Sequence, residues 1–121
     1  MDSGQARISL VRLVIINKGR KGRRKYILLI YMVKVDGREY EKSTRKGKKL
    51  MVEVDGKTIH FGDSSRQHFR DRTGIWKEKN HGDKTRRKNY LTRSAGIKDG
   101  KGNLTKDNPL SPNYHSRRIL W

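Results

Sequence analysis

Residues 48–62, KKLMVEVDGKTIHFG, decide the fold of this chain. Two short apolar runs, at residues 50–54 and 58–61, flank the dipeptide Asp55-Gly56. Asp-Gly between alternating apolar runs is the strongest short-range hairpin signal, because a type I′ turn needs positive φ at both central residues. The stretch therefore predicts two antiparallel strands joined by a tight turn.

A second hairpin is predicted immediately upstream. The sequence MVKVDG at residues 32–37 is nearly repeated as MVEVDG at residues 51–56. Residues 26–35, YILLIYMVKV, therefore predict a strand that ends at an Asp-Gly turn and is followed by another strand. Residues 8–16, ISLVRLVII, are β-branched and nearly continuous, which is typical of a buried strand.

The second half of the chain predicts a long loop and two short helices. Residues 63–82 have no clear period, and their aromatic residues indicate that the loop folds back onto the sheet. Asp83 can cap a helix that ends near Gly96. Ser111-Pro112 predicts a second, short helix that leads to Trp121, which we expect to be docked.

Together these patterns predict an α+β fold, in which a small antiparallel β-sheet of four or five strands is built from hairpins. A long ordered loop and two short C-terminal helices complete it. At 121 residues the chain has room for a single domain, and with only 31% hydrophobic and 36% charged residues its core must be thin. There is no cysteine, which excludes disulfides, thiolate zinc sites and cysteine nucleophiles. The apolar runs near the N-terminus are far shorter than a membrane helix, so we expect no membrane partner.

The net charge of +19 dominates the functional reading. Such self-repulsion weakens a compact state unless a polyanion offsets it, and nucleic acid, DNA in the first place, is the obvious candidate. A merely solvated surface mixes signs, whereas several stretches here are purely basic. The candidate nucleic-acid-binding residues are Lys18, Arg20, Lys21, Arg23, Arg24, Arg45, Lys46, Lys48, Lys49, Lys84, Arg86, Arg87, Lys88, Arg93, Arg117 and Arg118.

Cations that neutralise phosphates need little exact geometry, so weak sequence preference is expected. No helix-turn-helix, zinc-finger or RNA-recognition motif is present in the sequence, which argues against base readout. Phe69 and Trp76 could stack on bases, but in a chain so short of core residues packing is favoured.

An enzymatic reading depends on histidines and carboxylates. His60, Asp63, His81 and Asp83 could converge on a metal ion if the long loop folds over the hairpin. The alternative is that His60 hydrogen-bonds to a loop, while His81 and Asp83 belong to a helix start. No spacing matches a nuclease signature. We therefore expect no metal and no cofactor, and we favour a non-enzymatic role.

Several spaced motifs carry a resemblance to a known family. They are STRKGKK at residues 43–49, GKTIHFG at 56–62, Asp83 followed by RRKNYLTR at 86–93, SPNY at 111–114, and the closing Leu120-Trp121. This arrangement resembles a family of small basic proteins, largely of unassigned role, that large double-stranded DNA viruses and tailed bacteriophages encode. The resemblance covers about residues 38–121. It implies a viral origin and supplies no catalytic residues.

Two departures from the family pattern matter. The family has a His where this chain has Ser94, so no catalytic or metal role is expected at that position. Residues 1–37, a strand pair with a basic loop, lie outside the common module of residues 38–121, and Met32 could have been an alternative start.

We therefore expect a viral or phage-encoded protein that binds nucleic acid through phosphates, in the host cytoplasm or the virion. Two alternatives remain open. One is a minor virion component packed against capsid or tail proteins, and the other is a small metal-dependent nuclease.

Overall fold

A computed structural model describes residues 7–18 and 24–121 of the chain, with side chains from Met32 onward. The predicted α+β fold is confirmed: the strands form one antiparallel sheet in which each pairs with the next along the chain. Two α-helices lie in the second half. The elements are β1 (Arg7–Lys18), β2 (Arg24–Val35), β3 (Arg38–Lys42), β4 (Lys48–Val54), β5 (Lys57–Asp63), α1 (Lys84–Ser94) and α2 (Pro112–His115).

The two Asp-Gly turns are formed as the sequence predicts. Asp55 and Gly56 have φ values of 50° and 78°, and Asp36 and Gly37 have values of 52° and 81°. Both central residues of each turn are thus left-handed, as a type I′ turn requires. Across the second turn, Val54 pairs with Lys57, which places the alternating apolar residues of β4 and β5 on one face.

The first strand pair is longer than predicted. β1 continues to Lys18 and β2 begins at Arg24, so part of the expected basic loop is strand. Only Val33, Lys34 and Val35 of β2 pair with β3, whereas β2 pairs with β1 from Arg24 to Lys34. Within the two described ranges, no helix is long and apolar enough to cross a membrane.

The core lies on one face of the sheet and is covered by the end of the chain. After α2, the segment Ser116–Leu120 continues as a wider, π-type turn. Its Ile119 and Leu120 are each 1% exposed, and they lie among the apolar side chains of the sheet. The buried sheet residues are Val33, Val35, Tyr40, Leu50, Val52, Val54, Ile59 and Phe61.

The long loop folds back onto the sheet, as predicted, and also onto this C-terminal segment, which the sequence did not indicate. The backbone N–H groups of Arg70 and Arg72 donate to the carbonyls of Leu120 and Ile119, both at 3.0 Å. The indole N–H of Trp76 donates to the carbonyl of Lys49 at 2.8 Å, so Trp76 packs on the sheet, as expected. The loop is therefore ordered by hydrogen bonds to both β4 and the last turn of the chain.

Both helices begin at the capping residues that the sequence indicates. The Asp83 carboxylate accepts from the backbone N–H groups of Thr85 and Arg86 at 2.9 and 3.1 Å. The Ser111 hydroxyl accepts from the N–H of Asn113 at 3.3 Å, with Pro112 as the first helical residue. Such caps satisfy N–H groups that would otherwise lack a partner within the helix.

Gly62 is a glycine for reasons of space as well as backbone angle. It has φ of +80°, and a Cβ atom placed there would lie 2.8 Å from Cδ1 of Leu120 and 3.2 Å from Cβ of Lys49. Its bare backbone therefore allows the C-terminal segment to approach β5.

We predict a graded loss of stability when three glycines are changed to alanine one at a time. Gly62→Ala should cost about 2–5 kcal/mol, because it adds a steric clash to left-handed strain. Gly56→Ala, where φ is +78° but the space is open, should cost about 1–2 kcal/mol. Chemical denaturation of each variant measures the free energy of unfolding.

Gly96→Ala is the matched control for this series. The space at Gly96 is also open and its φ is not left-handed, so its substitution should lie within about 0.5 kcal/mol of the parent or gain slightly. Equal losses at the three positions would contradict the role assigned to φ and to the Leu120 contact.

Candidate nucleic-acid interface

The turn between β3 and β4 presents three exposed cations. Arg45, Lys46 and Lys48 are exposed. The carbonyl of Gly47 accepts from the N–H of Ser64 at 3.0 Å, which places this turn beside the start of the long loop. These cations therefore adjoin a second part of the chain.

Helix α1 presents five further cations. Lys84, Arg86, Arg87, Lys88 and Arg93 are all exposed, and the helix contains no acidic residue. Like charges four residues apart lie side by side on a helix and repel each other. An anion bound along α1 would relieve this repulsion.

Arg66 connects these two groups, and sequence reasoning missed it. Its guanidinium lies 3.4 Å from the Asp63 carboxylate, and its side chain is 81% exposed. The adjacent Gln67 accepts from the guanidinium of Arg86 at 3.1 Å. The turn, the loop start and α1 thus adjoin one another. We call their exposed cations the basic ridge, which consists of Arg45, Lys46, Lys48, Arg66, Lys84, Arg86 and Lys88.

The prediction that Lys49 contacts phosphate is wrong, because Lys49 is only 2% exposed. Its ammonium group bonds to Nδ1 of His68 at 2.9 Å, and Nε2 of His68 bonds to Oδ1 of Asn80 at 2.6 Å. Burial lowers the pKa of Lys49 to about 8, although the carboxylates of Asp63 and Asp71 act in the opposite direction. Lys49 therefore ties β4 to the long loop.

Two of the predicted arginines on α1 are partly engaged within the protein. Nε of Arg87 donates to the carbonyl of Trp121 at 2.7 Å, and its guanidinium lies 5.2 Å from the ring centroid of Phe69. The guanidinium of Arg93 lies 5.8 Å from the ring centroid of Tyr90. Both remain exposed; Arg87 holds α1 against the C-terminal segment, whereas Arg93 contacts a ring of its own helix.

The two predicted arginines of the C-terminal segment have intramolecular partners. Arg117 is half-buried and donates to the carbonyl of Leu91 at 2.6 Å and to the hydroxyl of Ser94 at 2.7 Å. Arg118 lies 3.6 Å from the Asp36 carboxylate. Arg117 is therefore a structural residue, and the small, buried Ser94 receives it.

The remaining predicted cations belong to the first strand pair. Lys18 and Arg24 lie in β1 and β2, at positions whose side chains the structure does not describe. Arg20, Lys21 and Arg23 lie outside the described residues. Their contact with phosphate stays a prediction.

Acidic side chains gather on a different surface. Glu39, Glu53 and Asp55 line a concavity of about 730 Å³, together with Lys34 and His60. The pairing register places it on the face of the sheet opposite the core. Because carboxylates repel phosphates, this face is unsuited to nucleic acid.

The proposed convergence of four residues on a metal is not found. Nδ1 of His60 bonds to the hydroxyl of Ser43 at 2.7 Å, and Nδ1 of His81 accepts from the N–H of Asp83 at 2.8 Å. Across residues 7–18 and 24–121, no three histidine or carboxylate side chains are grouped as ligands for a metal ion. His60 and His81 thus follow the structural alternative.

Comparison with protein families, with characterised proteins and with solved structures finds no match to this chain.

Two fully buried histidines link the core to polar partners. Nδ1 of His115 bonds to the hydroxyl of Tyr40 at 3.0 Å, and its Nε2 bonds to the carbonyl of Pro109 at 2.6 Å. Burial raises the pKa of Tyr40 to about 12, which keeps its hydroxyl protonated as a donor. Burial likewise lowers the pKa of His115 and of His68 below 6.5.

We predict that acid destabilises the protein below pH 6.5. The unfolded chain takes up protons near that pH while buried His68 and His115 stay neutral, so stability is lost as pH falls toward the folded pKa values. The slope should reach up to about 1.4 kcal/mol per pH unit for each histidine. Denaturation at pH 7, 6 and 5 measures it.

His115→Asn is the discriminating variant. It should show a shallower decline between pH 7 and 5 than the parent, whatever its absolute stability, because one titrating group is gone. The half-exposed His60 and His81 also have lowered pKa values and keep part of the slope. Equal stability of the parent at pH 7 and pH 5 would contradict the prediction.

Proposed function

We propose that this protein binds nucleic acid, DNA in the first place, through phosphate contacts without reading sequence. The observation that supports this most is the basic ridge, in which three separate parts of the chain contribute seven exposed cations beside the exposed carboxylates of Asp63 and Asp83. Its cations are exposed, and only Arg66 and Arg86 among them have side-chain partners in the part of the chain that the structure describes. Several other cations, such as Lys49 and Arg117, are buried or half-buried and bond within the fold. Without a bound anion, repulsion among the ridge cations would lower the stability of the fold.

The cations of the ridge are suited to binding phosphates of any base sequence. Lysine and arginine side chains on an exposed surface neutralise phosphates and release counterions, a term that is independent of base identity. The glutamates are concentrated across the sheet, which would orient the protein with α1 and the β3–β4 turn toward the polyanion. The expected mode is salt-sensitive binding to many sequences.

We further propose that the protein is virus- or phage-encoded and acts in the host cytoplasm or in the virion, with virion proteins as further partners. Support comes from the motifs that resemble the viral family. Asp83 caps α1, Ser111 caps α2, and Leu120 and Trp121 close the core. These motif residues cap helices and close the core, which are roles that proteins with a common fold would share.

We predict that replacing three ridge cations of α1, Lys84→Gln, Arg86→Gln and Lys88→Gln, weakens binding to duplex DNA. The slope of log K against log salt should become shallower by about two to three units, following about 0.9 units for each phosphate contact. Glutamine keeps good helix propensity, so α1 should remain folded. Fluorescence anisotropy at several salt concentrations, on two unrelated duplexes, measures the effect.

The matched control replaces three exposed lysines elsewhere, Lys57→Gln, Lys98→Gln and Lys101→Gln. Lys57 lies at the opposite end of the β4–β5 hairpin from Lys48, and the other two follow the C-terminal end of α1. Both triples remove the same charge, so an equal effect would show that net charge acts without a defined surface.

Three other outcomes would count against the proposed function. A salt slope near zero with folded protein would exclude phosphate binding. A strong preference for one of the two duplexes would indicate base readout. DNA affinity that is weak at physiological salt in the parent would favour the virion-component alternative.

A further inference from the structure

A cleft of about 270 Å³ lies where the loop start, α1 and the C-terminal segment meet. It adjoins the basic ridge, because Arg66 belongs to both. Apolar side chains form one wall, and two carboxamides and the Asp63 carboxylate, which pairs with Arg66, lie among the others. The lining residues used in the argument are Arg66, Gln67, Tyr90, Asn113, Leu120 and Trp121.

We propose that this cleft takes one unstacked nucleobase of a single strand whose phosphates lie on the basic ridge. The inference rests on the proposed function and names the form of nucleic acid that the site accepts. A base within a duplex is stacked and paired, and it must leave the helix before it can enter a pocket. The cleft therefore favours single-stranded DNA or RNA over duplex.

The size of the cleft fits one base. Pockets for drug-sized ligands have volumes of roughly 300–1,000 Å³. At about 270 Å³ the cleft falls just below this range, which suits a flat ring system without its sugar and phosphate. The sugar and phosphates of the same nucleotide would remain outside, toward Arg66.

The apolar wall is an aromatic pair held in place. The rings of Tyr90 and Trp121 are stacked with centroids 4.2 Å apart and an angle of 9° between their planes. His81 lies 5.2 Å from Trp121 on a tilted plane, and the Tyr90 hydroxyl bonds to that of Ser116 at 3.0 Å. Because Tyr90 and Trp121 remain partly exposed, their ring edges are available to a base in an edge-to-face arrangement.

The two carboxamides of the cleft differ in the hydrogen bonds that they leave open to a base. Oε1 of Gln67 accepts from Arg86, while its amide nitrogen donates to none of the residues that the structure describes. Nδ2 of Asn113 donates to the carbonyl of Ser94 and to the hydroxyl of Thr105, both at 2.9 Å, so this amide is fixed in orientation. A free amide donor can serve acceptor atoms found on every base.

The bond between Gln67 and Arg86 links the cleft to the ridge. Arg86 lies at the edge of the cleft through this bond, and Arg66 lines the cleft itself. A strand that inserts a base here would bring its neighbouring phosphates to two guanidinium groups. Phosphate binding and base insertion would then reinforce each other.

Trp121 provides a direct reporter of the cleft. The chain has two tryptophans, and Trp76→Phe leaves Trp121 as the fluorophore. Circular dichroism confirms that this variant is folded. Oligo(dU), oligo(rU) and a duplex of equal phosphate count are then titrated at one salt concentration, with anisotropy of labelled strands measured in parallel.

We expect saturable quenching of Trp121 by the single strands, at affinities several-fold above that for the duplex. The tighter of the two oligomers identifies the sugar that the site prefers. If anisotropy reports binding while Trp121 emission stays unchanged, the proposal that a base enters the cleft is overturned and the proposed function stands. Absence of binding to every probe would overturn both.

A variant in the parent background tests the site independently of fluorescence. Gln67→Leu removes the free amide donor and also the acceptor that bonds to Arg86, so it should weaken single-strand binding about two- to tenfold, with a smaller loss for duplex. Asn89→Leu is the control, because Asn89 is an exposed amide on α1 that does not line the cleft. Equal effects of the two variants, or no effect of Gln67→Leu, would overturn the proposal.

Discussion

The fold depends on the seating of Ile119 and Leu120 against the apolar face of the sheet. These two side chains cover a core drawn mainly from β4 and β5, and Gly62 leaves room for Leu120 to approach. The long loop donates backbone N–H groups to the same two residues, at 3.0 Å each. A chain with so few apolar residues can close its core in this way because one short segment serves the sheet and the loop together.

Buried polar groups link the elements of this fold, a role that apolar packing fills in a sequence with more apolar residues. Lys49 and His68 join β4 to the loop, and Tyr40 and His115 join β3 to the C-terminal segment. Each of these groups has a hydrogen-bond partner, which is required because an unpaired polar group in the interior is costly. Such networks define one arrangement of the chain, but desolvation reduces their net stabilisation. A polyanion bound to the folded state alone would add to stability by mass action.

The sequence could predict those features that depend on residues close together in the chain. The Asp-Gly turns and the caps at Asp83 and Ser111 follow from residues within a few positions of one another, and all are formed. Lys49 was assigned wrongly because a run of cations gives no sign of which one meets His68, 19 residues away. The cleft escaped prediction for the same reason, since residues from four separate parts of the chain line it.

The cations divide into two sets, and this division connects the fold to its proposed partner. Arg87 and Arg117 hold α1 to the C-terminal segment through backbone carbonyls, whereas Lys84 and Lys88 have no partner among the described residues. α1 is therefore kept in place by one set of cations while the other set repels along its exposed side. The Tyr90–Trp121 stack likewise joins α1 to the C-terminal segment, and it also forms the wall of the cleft. Since the same contact positions both the ridge and the cleft, a bound strand that presses on this stack would stabilise the helix that carries its phosphate ligands.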